Sequence, residues 1–345
     1  LTMRRAIAGT LFVLFAVIFS DMALAVAKDA RVAFVRGTVT ATDSALNMPR
    51  LLQRDSRVEV GEVIDTGPKG LVQLVFPDSS MLYIKANSSV KLQAFHFSPD
   101  EPEKDAAVTE VIKGSMRALT GIVGKRSKDK VQFKTKVSTV GIRGTAIEIW
   151  QDGDAITVDF GDVVIENAGG ELSLGEGQSA KTASPQKAAA TFAFQRPSND
   201  AAILAKELVQ AAPDKVAEKS GEICKELSTE DALFLMGIQG QVPGFTPRVA
   251  TSTVEGLTIC FPVDQIALLL TTSVMIYPDA ASDLLRTAAE SDVDVAIALE
   301  AVLRGMEDPS KDQLNTLFNS AADLGLTPEQ AKQVVQNIKD TGICR

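Results

Sequence analysis

The chain has 345 residues, 45% of them hydrophobic and only 5% aromatic, with a formal net charge of −9. That length allows two ordinary domains with sizeable cores. The acidity disfavours nucleic acid as a partner, because phosphate binding needs a positive field, and the few aromatics argue against a broad stacking platform for sugars or bases.

The first 27 residues read as an export signal. Arg4 and Arg5 form a positive start, Ala6 to Phe19 is apolar, and Ala23-Leu24-Ala25 is a small-residue cleavage pattern. The apolar run falls short of the roughly 20 residues a bilayer-spanning helix needs. Cleavage after Ala25 or Ala27 leaves an exported chain, periplasmic or secreted, with no stable transmembrane span. An uncleaved N-terminal anchor is the rival, and a signal peptide would begin at Met3.

Residues 28–180 read as an all-β domain. Short alternating or β-branched runs recur at Arg31–Thr40, Ser56–Val63, Gly70–Phe76, Met81–Lys85, Ser89–Phe97, Ala107–Lys113, Lys130–Val137, Ala146–Gln151, Ala155–Phe160, Val163–Asn167 and Glu171–Leu174. Gly37, Gly61, Pro77-Asp78, Asp152-Gly153, Gly161-Asp162 and Gly169-Gly170 punctuate them as turns. Strands this short and evenly spaced suggest a sandwich or jelly-roll-like fold. Residues 98–106 read as a solvated acidic loop. Residues 181–199, rich in Lys, Ala, Ser, Pro and Gln, read as a linker.

After residue 200 the apolar period becomes 3.6, and residues 200–345 read as an all-α domain. Helices are expected at Asp200–Ala211, Pro213–Leu227, Thr229–Met236, Val263–Ile276, Ala280–Ala289, Asp292–Leu303, Pro309–Leu324 and Pro328–Lys339. The last opens with Thr327 as N-cap, Pro328 in the first turn and Gln330 to complete a capping box. Ile266–Ile276 is apolar nearly all round and reads as a buried helix. The fold class is therefore β plus α in two domains.

Few residues carry recognisable chemistry. The stretch V-S-T-V-G-I-R-G-T-A-I-E-I, Val137 to Ile149, alternates like a strand but holds Arg143 between Gly141 and Gly144. An unpaired buried guanidinium is costly. Arg143 thus either pins a strand crossing by bonding carbonyls or a carboxylate, or, with Gly144 and Thr145, anchors an anionic ligand. A second feature is basic: Arg126, Lys128, Lys130, Lys134 and Lys136 alternate with Val131, Phe133, Thr135 and Val137. On one strand they would form a cationic face, either solvated and paired with Glu148, Asp152 or Asp154, or met by an anionic partner. His96 is the only histidine, so no Ser/His/Asp set and no zinc site stands out. Trp150 is either a core-edge residue or an exposed binding aromatic. No cofactor and no metal is expected. Cys224, Cys260 and Cys344 all lie in the helical part, and an oxidising compartment favours one disulfide among three pairings.

Several of these segments match a known pattern in order. V-S-T-V-G-I-R-G-T-A-I-E-I resembles the "TP-x-x-x-x-VRGT-x-F-x-V" signature of the FecR domain family. G-E-V-I-D-T-G at 61–67, L-V-Q-L-V-F-P-D-S-S-M-L-Y-I at 71–84, N-S-S-V-K-L at 87–92, V-I-K-G-S-M at 111–116, V-D-F-G-D-V-V-I at 158–165 and L-G-E-G-Q-S-A at 174–180 follow in the family's order. The resemblance spans roughly residues 32–180 and implies a periplasmic sensing module without catalysis. Two departures stand out. Ser79 replaces the family's hairpin glycine. Only a signal peptide precedes the module, so the resemblance implies an exported sensing or binding protein and not an anti-sigma factor. Its partner would be an envelope protein or an anionic envelope polymer, with the helical domain relaying the interaction or joining two copies as a homodimer. A carbohydrate- or peptidoglycan-binding envelope module is the alternative, and a hydrolase with a carboxylate pair ranks last.

Overall fold

A computed structural model describes residues 29–340 except 44–47, 151–153, 197–199 and 307–308, and leaves out the side chains of Lys128 and Arg143. The signal segment and Cys344 lie outside the described residues.

The β part is built from β1 (Ala30–Arg36), β2 (Val39–Asp43), β3 (Pro49–Leu51), β4 (Arg57–Val58), β5 (Glu62–Thr66), β6 (Leu71–Val75), β7 (Met81–Ile84), β8 (Ser89–His96), β9 (Ala106–Lys113), β10 (Ser115–Leu119), β11 (Val131–Lys134), β12 (Thr139–Trp150), β13 (Ala155–Asn167), β14 (Gly170–Leu174), β15 (Ser179–Lys181) and β16 (Ala190–Thr191). They hydrogen-bond in the order β3-β2-β5-β8-β9-β11-β12-β10-β7-β6-β1-β4, and β13 joins β12 to β14 and β15. The pairings are antiparallel except β11 on β9. The continuous sheet folds over on itself into two layers. Val32, Ile64, Leu74, Ile84, Val90, Met116, Ile147 and Ile165, from both layers, share one core.

Leu71–Val75 and Met81–Ile84 are buried at every position. Their outer face carries the helical part, so Val75, Met81, Tyr83, Leu119 and Phe160 join the helical core. Strands covered on both faces lose the apolar–polar alternation of a half-exposed strand.

The helices are α1 (Ile122–Arg126), α2 (Ala201–Gln210), α3 (Val216–Ile223), α4 (Thr229–Ile238), α5 (Pro247–Leu257), α6 (Val263–Ile276), α7 (Ala281–Glu290), α8 (Val295–Gly305), α9 (Lys311–Asp323) and α10 (Pro328–Asp340). Side-chain caps start most of them: Asp200, Ser228, Thr246, Asp294 and Ser310 each accept a first-turn backbone N–H. The expected capping box at Thr327 forms, with Gln330 N donating to Thr327 Oγ1 and Thr327 N to Gln330 Oε1. Within α6, Ile266 to Val274 are all buried, as its all-round apolar sequence implies.

Several expectations change. Lys130–Val137 is not one strand: α1 and a short 3-10 turn, Lys128–Lys130, precede a β11 that ends at Lys134. Gly161-Asp162 is not a turn, and one strand runs through it. Ser115–Leu119 and Pro247–Leu257 are additional elements. The stretch 181–196 is bonded along the β part: Phe192 N donates to Ser179 O, and Asn167 Nδ2 donates to the carbonyls of Ser184 and Lys187. The acidic loop is pinned as well, since buried Asp105 accepts from Arg126 Nε at 2.8 Å.

Of the three open pairings, the disulfide joins Cys224 to Cys260, 36 residues apart, stapling the end of α3 to the turn after α5. Closing a loop of that size stabilises by about 2–4 kcal/mol. Reduction should lower the urea-unfolding free energy by that amount. The unreduced, denatured chain should titrate one thiol. Three free thiols before reduction would contradict the pairing.

Candidate functional site

The long β12–β13 hairpin passes from one layer to the other. The first half of β12 pairs with β11 through Thr139, Val140 and Gly141, and its second half pairs with β10 from Ala146 to Trp150. Between Arg143 and Ala146 the register against β13 shifts, the mark of a β-bulge. Gly144 has φ +68° and Gly161, on β13 at the same corner, φ +81°. A Cβ on Gly161 would lie 2.4 Å from Gly144 O. Only glycine suits both the left-handed backbone and that approach. Thr145 is fully buried; its N–H donates to Thr120 Oγ1 at 2.8 Å and its carbonyl accepts from Thr120 N at 3.0 Å. The backbone of the R-G-T segment is thus the corner of the sandwich, with Arg143 in register with Asp162.

The nearby Pro77–Ser80 turn keeps its left-handed residue, with Ser79 at φ +62°. Buried Asp78 holds this turn to α1: it accepts from Ser80 N and Val123 N, and burial raises its pKa.

The outer face of the second layer carries a polar row. Strand register places Gln73, Tyr83, Arg117, Glu148, Thr157 and Ser179 side by side, and all six are buried. The helical part completes the bonding of Tyr83 and Arg117. Tyr83 Oη donates to Leu233 O at 3.1 Å, and a Cβ on Gly237 would come within 2.5 Å of Tyr83 Oη. Arg117 bonds Glu148 at 3.2 Å and Asp231 at 2.8 Å, and its guanidinium lies 4.8 Å from the Phe234 ring centre. Lys85 pairs with Glu148 and with Glu230. Burial works against the Arg117 charge, but Glu148 and Asp231 outweigh it and raise its pKa. Burial also opposes the Asp231 charge, yet bonds from Ser228 and Arg117 hold its carboxyl below the usual range. At the other end, Asp159 pairs with Arg196, though burial still lifts it to about 6.

The outer face of the first layer is different, because among the described residues no helix covers it. One row reads Lys91, Glu110, Lys134, Thr139, Glu166, Glu171. The next reads Ala94, Val108, Gln132, Gly141, Val164, Ser173, mostly small or apolar. There the surface dips into a groove of about 460 Å³ bordered by Asp129, Gln132, Gly141, Val164, Glu166 and Glu171. Lys130 and Lys136 are exposed, and Lys134, in register with Glu110, is half-buried. Glu166 and Glu171 stand directly opposite each other, a like-charge pair that weakens the hairpin. A second groove of about 430 Å³ lies where Thr120 and Lys125 meet Gln239, Gln241 and Tyr277.

Residues 62–195 match the family model described as FecR protein. This segment is a FecR domain. Two crystal structures of a candidate anti-sigma factor from Parabacteroides distasonis ATCC 8503 are similar at 15% and 14% identity; each similarity covers 38% of this chain and 58% of the solved one, with a TM-score of 0.30. This chain therefore spans little over half the length of those proteins. No curated protein matches.

Gly144 and Thr145 form the bulged corner of the FecR domain, whereas the lysines that the sequence places on one strand are spread over separate elements. Lys130 ends a 3-10 turn, Lys134 lies on β11 and Lys136 in the turn after it, while Glu148 serves Lys85 and Arg117 on the opposite layer. Sequence reasoning missed the polar row, whose only signal is one polar residue inside each apolar run: Gln73 in L-V-Q-L-V, Tyr83 in M-L-Y-I, Arg117 in S-M-R-A-L. Among the described residues, no group of three or more His, Cys, Asp or Glu is arranged to hold a metal.

Gly161→Ala should cost at least about 2 kcal/mol, from left-handed backbone strain plus the clash with Gly144 O. Gly141→Ala, where the nearest atom to the added carbon is 3.9 Å away, should change stability by under about 1 kcal/mol. Equal losses in urea unfolding would contradict the corner.

Proposed function

We propose that this chain is a non-enzymatic, exported binding protein whose FecR domain senses an envelope partner through the bare outer face of its first layer. One observation carries the reading: one face of the sandwich is buried under helices while the other is open, grooved and charged. The N-terminal signal pattern and the disulfide support an oxidising compartment outside the cytoplasm. Among the described residues no helix is long and apolar enough to cross a membrane. The partner in this reading is an envelope protein or an anionic polymer that meets Lys134, whose register neighbour Thr139 lines the groove, together with Lys130 and Lys136 on the turns before and after that strand. The helical part is fixed to the back of the domain and offers a second surface for relay or for pairing two copies.

A second reading is a carbohydrate- or peptidoglycan-binding module, favoured by one feature. Trp150 and Phe194 pack with ring centres 5.1 Å apart, and Phe192 and Phe194 are 40% and 39% exposed. Half-exposed rings can stack on sugar faces.

Photo-cross-linking in intact cells from position 132 or 141 should capture a partner, and Lys130→Glu with Lys134→Glu should cut that capture at least tenfold. Capture unaffected by charge reversal would overturn the reading. Retention on peptidoglycan, lost with Phe194→Ala, would favour the second.

A further inference from the structure

The turn Gln53–Ser56 meets the end of α8, and three arginines gather there. Asp55, at φ +68°, divides its carboxylate between Arg31, at 3.3 Å, and Arg304. Arg304 also holds Glu300 at 2.8 Å, and Arg31 donates to Arg304 O at 3.3 Å. Asp55 and Arg304 are nearly inaccessible, with side chains 7% and 6% exposed. Both carboxylates are therefore engaged by Arg31 and Arg304.

The third arginine, Arg54, is left over. It lies among Arg304, Asp55, Glu300 and Arg31, and its Nε is buried with no hydrogen-bond partner among the described residues. Among the described residues, three guanidiniums against two carboxylates leave one positive charge in excess. A guanidinium keeps its proton under all ordinary conditions. It therefore cannot become neutral to escape burial, as a lysine could. Burial and repulsion from Arg304 destabilise the cation, and Asp55 does not fully compensate. The residue is only half-buried, so one side remains open to solvent.

We propose that this junction binds one oxyanion, a carboxylate or a phosphate group, with the planar fork of Arg54 as its clasp and Arg304 as the charge behind it. Parallel N–H bonds from guanidinium to oxyanion suit either group. The site joins a turn of the β part to a helix end, so occupancy would add a contact across the seam. It lies apart from the grooved face and stands whether or not that face meets a partner.

The test is the thermal midpoint of the full chain in inorganic phosphate or in succinate against chloride at matched ionic strength. The wild type should show a saturable rise of about 2–4 °C with at least one anion. Arg54→Gln should lose the rise while matching or exceeding the wild-type midpoint in chloride, since a repulsive charge has gone. Arg54→Lys should need at least tenfold more anion for the same rise. A rise with phosphate alone identifies a phosphate site, and a rise with succinate alone a carboxylate site. General salting effects would stabilise wild type and Arg54→Gln equally, and that result overturns the proposal, as does a wild type unmoved by both anions. Calorimetric titration of the wild type with the active anion should give one site per chain, and absence of binding heat is equally fatal.

Discussion

Arg117 lies between Glu148 of its own sheet and Asp231 of the helical part, away from bulk water, with Phe234 beneath its guanidinium. Much else in the molecule follows from accommodating that charge. A buried guanidinium needs two or more oxygens at once, and breaking such a set from one side costs about 3–5 kcal/mol. The sheet alone supplies Glu148. Asp231, at the start of α4, arrives only when the helices dock. Tyr83 makes the same demand in neutral form, since its hydroxyl reaches a helical carbonyl. The second layer therefore carries groups satisfied only in the docked arrangement. The surrounding apolar contacts supply the larger share of the attraction, and the polar row fixes which arrangement is allowed.

This constraint divides the sandwich into a committed face and a free one. The committed face reads as unbroken apolar strands with single polar interruptions. The free face reads as alternating charge across a shallow groove. The corner at Gly144 and Gly161 links the two, because one hairpin contributes a half to each layer. A ligand or partner on the free face would press on strands that continue, beyond the bulge, into the face held by Arg117. That continuity is a covalent and hydrogen-bonded route from the open surface to the helical part.

Much of the fold was legible in the sequence. Helices announced themselves where a cap, a proline and an apolar period coincided, as at Pro328, and Val263–Ile276 was bounded correctly by its apolar content. The α5 helix was missed despite Thr246-Pro247 at its start, because the threonines, serine and glycine inside it dilute the period. Alternating lysines at 128–136 imitated a strand. Charge alternation carries no burial, and the Asp78 carboxylate instead organises a short helix just upstream. Gly161-Asp162 looked like a turn because a glycine with positive φ serves turns and bulges alike. Of the candidate site, the R-G-T corner was visible as glycines in a strand. The seam was not, since nothing local reveals that Arg117 will meet a residue 114 positions away.

The most direct test of a single docked body uses the lone tryptophan. Trp150 reports on the β part, and ellipticity at the helical band reports on the helices. Urea unfolding followed by both signals should give coincident curves, with one midpoint and one slope, because the Arg117 seam and its apolar surround couple the two parts. Separated curves, with helices melting while Trp150 keeps its native emission, would contradict the account.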